Sequence, residues 1–299
     1  MTGILFIIFG CTLWALDALI RYPLVGKGVD PTVIVFIEHA LLTLIFIPTL
    51  ISGVKRVGDL RVSDIVSFLV VGALGSAFAT VCFTEAFLYV NPSLVILLQK
   101  FQPVIAVSLA ALVLKEPVPR AFVFWGLVGL LGAILVSAPD LQDIWKLIQY
   151  DPALLSSEAK VKGYSLIGIS VVCWAAATVF GKKLSMAGFE PGSIMSGRFL
   201  TGFITLCFIV PWGGKFIFAD PQNYLWVIAL TLLGGVAMTA YYQGLKRLPA
   251  KLVSVCELFF PFMAVLVNWI FLGKMLTEVQ LAGGALLALS ALILQIKKY

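Results

Sequence analysis

Long hydrophobic runs, separated by short polar breaks, extend along the whole chain. A helix needs about 20 mainly apolar residues to cross the hydrocarbon region of a bilayer. Because runs of this length recur, the pattern predicts an all-α integral membrane protein with ten transmembrane helices. The predicted helices cover residues 3–20, 32–51, 64–88, 92–114, 121–138, 163–181, 192–212, 223–245, 250–272 and 278–296.

The second half of the chain repeats features of the first. Shifts of 160 or 158 residues align similar positions, namely Gly3 with Gly163, Trp14 with Trp174, Pro31 with Pro191, and Pro103 with Pro261. Because each half holds an odd number of spans, the second half must enter the membrane from the other side. We therefore predict two inverted five-helix repeats, at 1–138 and 163–299, an arrangement that secondary transporters use. The connector at 139–162 is either a helix along the outer membrane interface or an ordinary linker.

The composition agrees with a membrane protein. Hydrophobic residues make up 61% of the chain and charged residues 12%, whereas a soluble domain carries about 25% charge. The net charge of +6 indicates membrane orientation rather than nucleic-acid binding, because Lys and Arg concentrate in the loops of one side. This bias predicts a multi-pass protein of the cytoplasmic membrane with both termini in the cytoplasm. The basic residues predicted on the opposite side are Arg21, Lys27, Lys146, Lys160, Lys162, Lys215 and Lys274.

Polar residues inside the predicted spans indicate a solute pathway. An ionisable residue costs about 2.5–3.5 kcal/mol at the centre of a spanning helix, so few are kept without a partner or a function. Lys100 lies deepest, and Gln99 shares its helical face while Phe101 points away. The predicted substrate-binding and translocation residues are Trp14, Asp17, Glu38, Glu85, Gln99, Lys100, Trp174, Arg198, Gln243 and Glu257. The alternative for each charged residue is a structural salt bridge, for example between Lys100 and Glu38 or Glu85.

Pro103 and Pro261 occupy matching positions in the fourth and ninth predicted helices. Each removes a backbone hydrogen bond near the middle of the membrane, which is tolerated beside a neighbouring helix or a water-filled cavity. We predict that the pair acts as hinges, with a simple packing kink as the alternative. No His, Cys or carboxylate set has metal-ligand spacing, so neither a metal nor another cofactor is predicted.

These features predict a secondary transporter that carries a small polar metabolite by alternating access. Lys100 together with several carboxylates suits an amino acid or a similar zwitterionic or charged solute. Asp17, Glu85 or Glu257 would allow proton coupling, because a carboxylate in a low-dielectric environment can take up a proton. The alternatives are a passive channel, which saturable counterflow would exclude, and an intramembrane enzyme, for which the sequence has no HExxH, G-x-S-x-G or Walker A motif. The expected assembly is a monomer or a weak homodimer.

Several short segments resemble the drug/metabolite transporter superfamily, specifically its ten-helix EamA-type members. The matching segments are Leu13-Trp14, Cys173-Trp174, Gly197-Arg198-Phe199, and Leu114-Lys115-Glu116-Pro117 before a Gly-rich helix. The resemblance covers essentially the whole length. It implies two five-helix repeats around a cavity lined by helices 1, 3, 4, 6, 8 and 9. It also implies transport of metabolites such as amino acids, often outward.

The sequence departs from this family pattern at three places. Glu38-His39 replaces the Arg-Phe pair expected in the second helix, and Lys274 replaces the glutamate expected in the second half. Asp17 adds a carboxylate to the first helix. These changes alter charges within the predicted pathway, so they bear on which solute is carried.

Overall fold

The computed structural model describes residues 2–53, 60–90, 92–150, 157–210, 218, 220–273 and 275–297. These residues form helices and connecting turns, and no β-strand occurs among them. Seven helices are long and apolar enough to cross a membrane, and three shorter apolar helices accompany them at Pro31–Ile45, Gln102–Val113 and Arg120–Val136. The predicted all-helical membrane class is therefore confirmed.

We number the helices in chain order. They are α1 (Thr2–Gly26), α2 (Pro31–Ile45), α3 (Ile47–Gly53), α4 (Val62–Ala86), α5 (Pro92–Gln99), α6 (Gln102–Val113), α7 (Arg120–Val136), α8 (Ala138–Tyr150), α9 (Glu158–Met186), α10 (Pro191–Ile209), α11 (Gln222–Arg247), α12 (Ala250–Glu257), α13 (Phe259–Leu272) and α14 (Glu278–Ile296). The middle of α4, Val70–Phe78, is π-helical.

The turns before α2 and α10 are built in the same way. Gly28 and Gly188 both have positive φ, at 81° and 90°, a conformation that glycine adopts without a steric penalty. Pro31 and Pro191 then stand at the first position of each helix, where a missing N–H costs nothing. Similar local chemistry thus ends one helix and starts the next in both halves.

Helix contacts in one half have counterparts in the other. α1 packs along α11, and α9 packs along α4; α9 also contacts α6, and α1 contacts α13. The pairs α7–α14 and α2–α10 each join the two halves. α7 and α14 approach very closely, since a Cβ built on Gly132 would lie 2.7 Å from the Gly283 carbonyl oxygen. This glycine contact leaves no room for side chains between the two helices.

The structure corrects the end of the first helix. α1 continues to Gly26, so Arg21 is a buried residue within it and not part of an exposed loop. The charge of Arg21 predicts a helix end, whereas two carboxylates pair with this charge inside the helix bundle. Helix α8, Ala138–Tyr150, covers the first part of the predicted connector, and its Trp145 is exposed. Lys215 and Lys274 lie outside the described residues, so their predicted positions stay predictions.

Candidate functional site

A cavity of about 200 Å³ lies between helices of the two halves. α1, α2, α4, α5 and α6 line it from the first half, and α9 to α13 line it from the second. Among the twelve predicted binding and hinge positions, ten line this cavity: Trp14, Asp17, Glu38, Gln99, Lys100, Pro103, Trp174, Arg198, Glu257 and Pro261. The helices therefore bring residues from distant parts of the sequence to one place. Their roles in binding stay predictions.

Two predicted site residues lie elsewhere. Glu85 pairs with Lys162 at 2.9 Å, and the Tyr89 hydroxyl donates to the same carboxylate at 3.3 Å. Gln243 accepts a hydrogen bond from Arg247 at 2.7 Å near the end of α11. Neither residue is among those that line the cavity. Both predictions relied on polarity within a hydrophobic run, which does not show the direction of the side chain.

Arg21 joins α1 to α2 at the edge of the cavity. Its Nε and Nη2 donate to the two Asp17 oxygens at 2.8 and 2.9 Å. Its Nη1 and Nη2 donate to the two Glu38 oxygens at 3.0 and 2.7 Å. The guanidinium thus holds both carboxylates in bidentate geometry, the strongest form of such pairing.

A second polar network connects α2, α4, α10 and α11. His39 uses Nδ1 with the Val35 carbonyl at 2.8 Å and Nε2 with the Ser76 hydroxyl at 2.9 Å. Arg198 Nε donates to Ser76 Oγ at 3.0 Å, and its Nη1 donates to the Tyr242 hydroxyl at 3.2 Å. Ser76 lies on the π-helical stretch of α4, and such stretches occur frequently at functional sites.

Matching breaks interrupt the helices beside the cavity. α5 ends at Gln99 and α6 begins at Gln102, while α12 ends at Glu257 and α13 begins at Phe259. Pro103 and Pro261 follow these breaks and have no N–H to offer the carbonyl four residues earlier. Those carbonyls belong to Gln99 and Glu257, so each proline frees the backbone at a polar residue of the cavity. The hinge role itself stays a prediction.

Among the described residues, some polar atoms near these helix breaks have hydrogen-bond partners and others do not. Gln102 Nε2 donates to Glu257 Oε2 at 2.6 Å. Within the described residues, Glu257 Oε1 and Gln99 Oε1 are buried without a hydrogen-bond partner. A buried acceptor without a donor is costly, so these oxygens are candidates for contact with a bound solute.

Aromatic pairs form two walls of the cavity. Trp14 of α1 contacts Tyr241 of α11, with ring centroids 5.5 Å apart. Trp174 of α9 contacts Phe83 of α4, with centroids 4.9 Å apart. Such tilted pairs are rigid and present flat, polarisable surfaces. All four rings line the cavity.

Lys100 stands at the break between α5 and α6 and is 5% exposed. It lines the cavity, and its ammonium group donates to the Ser137 hydroxyl. The alternative partners predicted from sequence are occupied, since Glu38 binds Arg21 and Glu85 binds Lys162. Lys100 therefore has a cavity-lining position together with a contact to the end of α7.

Among the cavity residues that sequence reasoning missed are Arg21, Ser76, Phe83, Thr178 and Tyr241. Two signals were available. Asp17 and Arg21 are four residues apart, which places them on one helical face. Tyr241 aligns with Phe83 at the same shift that aligns the two prolines. No group of three or more His, Cys, Asp or Glu side chains that could hold a metal occurs within the described part of the chain.

A bundle of apolar helices around a polar and aromatic cavity is typical of a membrane transport protein. The sequence matches the family described as the EamA-like transporter family over residues 1–138 and 161–296. The chain belongs to this family, which confirms the resemblance found in its motifs. It is thus a transporter and not an enzyme.

Two similar proteins agree with this assignment, and a solved structure shares the fold. A protein named riboflavin transporter ImpX, from Fusobacterium nucleatum subsp. nucleatum, is 33% identical, with 99% of this chain and 97% of the relative covered. A protein named uncharacterized transporter, from Archaeoglobus fulgidus, is 24% identical, with 96% of each covered. A solved crystal structure matches with a TM-score of 0.71 and 18% identity, over 98% of this chain and 97% of the other. At 18% identity, the similarity to this crystal structure concerns the fold alone.

Proposed function

We propose that the protein is a secondary carrier that moves a planar heteroaromatic metabolite of the flavin type by alternating access. The observation that carries this proposal is the cavity between the two halves, with its two aromatic walls. Flat aromatic surfaces suit a planar ring system, and polar groups around them suit its carbonyl, N–H and hydroxyl groups. The relative named as a riboflavin transporter supports the same class of solute.

The proposed architecture is ten spans in two inverted five-helix repeats, divided by the connector at 139–162. The two matched family segments support this division. The cavity adds support, because its lining residues pair at shifts of 160 or 158: Trp14 with Trp174, Glu38 with Arg198, Phe83 with Tyr241, Gln99 with Glu257, and Pro103 with Pro261. Such matching is expected where two repeats enclose a central site.

Helix lengths support ten spans. α5 and α6 have 8 and 12 residues, and end to end they would extend about 30 Å at about 1.5 Å per residue. That length matches the hydrocarbon thickness of a bilayer. The 15 residues of α2 reach about 22 Å, and α3 follows it after one residue. We further propose that both termini lie in the cytoplasm and that the protein is a monomer or a weak homodimer.

The charge pattern of the cavity favours a solute of low net charge. Asp17 and Glu38 are both paired with Arg21. Charges that already have partners are less available to a charged ligand, because binding would first have to break those pairs. An amino acid or another zwitterion is the second candidate, favoured by Lys100 and Glu257 in the same cavity.

Counterflow in proteoliposomes tests the proposal. Vesicles loaded with unlabelled riboflavin should take up labelled riboflavin transiently and saturably, and protein-free vesicles should not. Non-saturable flux would indicate a channel. Exchange of lysine or phenylalanine without riboflavin exchange would overturn the flavin proposal in favour of the second candidate.

A further inference from the structure

We propose that Glu257 is the group that binds and releases a coupling proton during transport, an inference that rests on the proposed carrier function. Three carboxylates met the sequence criteria for this role: Asp17, Glu85 and Glu257. The structure places them in different surroundings. Only Glu257 combines a cavity position with uncharged hydrogen-bond partners.

Asp17 and Glu85 each have a cationic partner. Asp17 accepts two hydrogen bonds from the Arg21 guanidinium, at 2.8 and 2.9 Å. Glu85 pairs with Lys162 at 2.9 Å and lies away from the cavity. A proton arriving at either carboxylate would have to replace an ion pair, so both are poor sites for proton exchange.

Glu257 is bonded differently. The amide of Gln102 donates to its Oε2 at 2.6 Å, and the hydroxyls of Thr178 and Tyr241 lie beside the carboxyl. Its Oε1 is buried without a partner among the described residues. An ionised carboxylate with uncharged neighbours in low-dielectric surroundings is costly, and a proton removes that cost. A protonated Glu257 could then donate its O–H to a carbonyl of the solute.

The repeat-related position supports this interpretation. Gln99 corresponds to Glu257 and also carries a buried oxygen without a partner. A glutamine has nearly the same shape as a protonated glutamic acid but cannot lose the proton. The three polar neighbours of Glu257, which are Gln102, Thr178 and Tyr241, correspond to Phe260, Ala18 and Phe83. The second half thus has a titratable carboxyl with polar neighbours at this position. The first half has an amide there, and the residues that correspond to those neighbours are apolar.

Other titratable or charged groups around the cavity are less suited to the role. The groups near Glu257 or facing the same space are Cys11, Asp17, Arg21, Glu38, His39, Lys100, Arg198, Tyr241 and Cys256. Thiols and phenols ordinarily stay protonated at neutral pH, and arginine keeps its charge. Glu38 is paired with Arg21, both ring nitrogens of His39 are hydrogen-bonded, and Lys100 contacts Ser137.

The first test is the pH dependence of riboflavin binding to the purified full chain, followed by quenching of flavin fluorescence. Where one proton binds with the solute, the Kd should fall by about tenfold for each pH unit of acidification within the titration range. Glu257→Gln should remove this dependence, whereas Glu257→Asp should retain it. A Glu257→Gln protein with the wild-type pH dependence would overturn the proposal and indicate another group, such as His39. Thermal unfolding of each variant shows whether it is folded.

The second test uses proteoliposomes with an imposed pH gradient, acidic outside. Wild-type protein should accumulate riboflavin above its external concentration. Glu257→Gln should lose this accumulation, and dividing the accumulation of each protein by its counterflow rate corrects for differences in overall activity. Glu85→Gln is the matched control, because this carboxyl lies outside the cavity, and it should accumulate riboflavin like the wild type. Accumulation driven by a sodium gradient and not by pH would overturn the proton role.

The two proposals fail in distinguishable ways. Absence of riboflavin binding and counterflow in the wild type would contradict the proposed solute. Riboflavin counterflow without any response to pH would leave the carrier function standing and refute the role of Glu257.

Discussion

Replacing Arg21 by methionine should destabilise the protein strongly. The Arg21 side chain is 8% exposed and holds Asp17 and Glu38, whose side chains are 15% and 7% exposed. Arg21→Met keeps most of the packing volume but removes four hydrogen bonds and the positive charge that lies between two carboxylates. Breaking a buried ion pair in this way costs about 3–5 kcal/mol, because the remaining charges stay buried without a partner.

The assay is thermal unfolding of the purified protein in detergent. At about 2–4 °C for each kcal/mol, the Tm of Arg21→Met should fall by about 6–20 °C. The triple variant Asp17→Asn, Arg21→Met, Glu38→Gln removes all three charges together and should recover much of that loss. This recovery separates an electrostatic penalty from a simple loss of packing.

Lys162→Met is the matched control. Its partner Glu85 is 30% exposed and Lys162 itself is 52% exposed, so water screens the pair and no resolvable change in Tm is expected. An unchanged Tm for Arg21→Met, or a triple variant no more stable than the single one, would refute the conclusion that the cluster holds α1 against α2.

Three further outcomes are expected. Trp174→Leu should weaken riboflavin binding by about twofold to about tenfold, since an aromatic contact contributes about 0.5–1.5 kcal/mol beyond its area. Flavin fluorescence titration measures this change, and unchanged affinity would exclude a stacking role. Gly132→Val should lower the Tm, because a Cβ at Gly132 would lie 2.7 Å from the Gly283 carbonyl oxygen. Gly126→Val is the control and should be tolerated, because a Cβ at Gly126 meets no described atom within 4 Å. Equal effects of the two variants would contradict the close helix contact. Single cysteines at the two chain ends should resist impermeant reagents in intact cells, and reaction at either end would reject the proposed topology.

Much of the architecture follows from local features of the sequence. Runs of apolar residues indicate membrane helices because hydrocarbon offers no partner to a polar backbone or side chain, so each span must be apolar along its own length. The helix breaks also follow locally, because Pro103 and Pro261 each remove a hydrogen bond within their own helix. Matching positions in the two halves pointed to Trp14 and Trp174, and polarity within a hydrophobic run pointed to Gln99 and Glu257. All four line one cavity.

Pairing between helices could not be read in this way. The sequence predicts Arg21 in a loop, whereas it pairs with Glu38 of another helix inside the bundle. The sequence also predicts Glu85 in the pathway, whereas Glu85 pairs with Lys162. Whether a buried carboxylate has a cationic partner depends on distances between helices. Those distances follow from how the helices pack together, and the spacing of residues along one helix does not give them. The same holds for Glu257, whose partner Gln102 is 155 residues away in the chain. Hydrophobic periodicity decides which segments enter the membrane, and helix packing decides which buried charges have partners there.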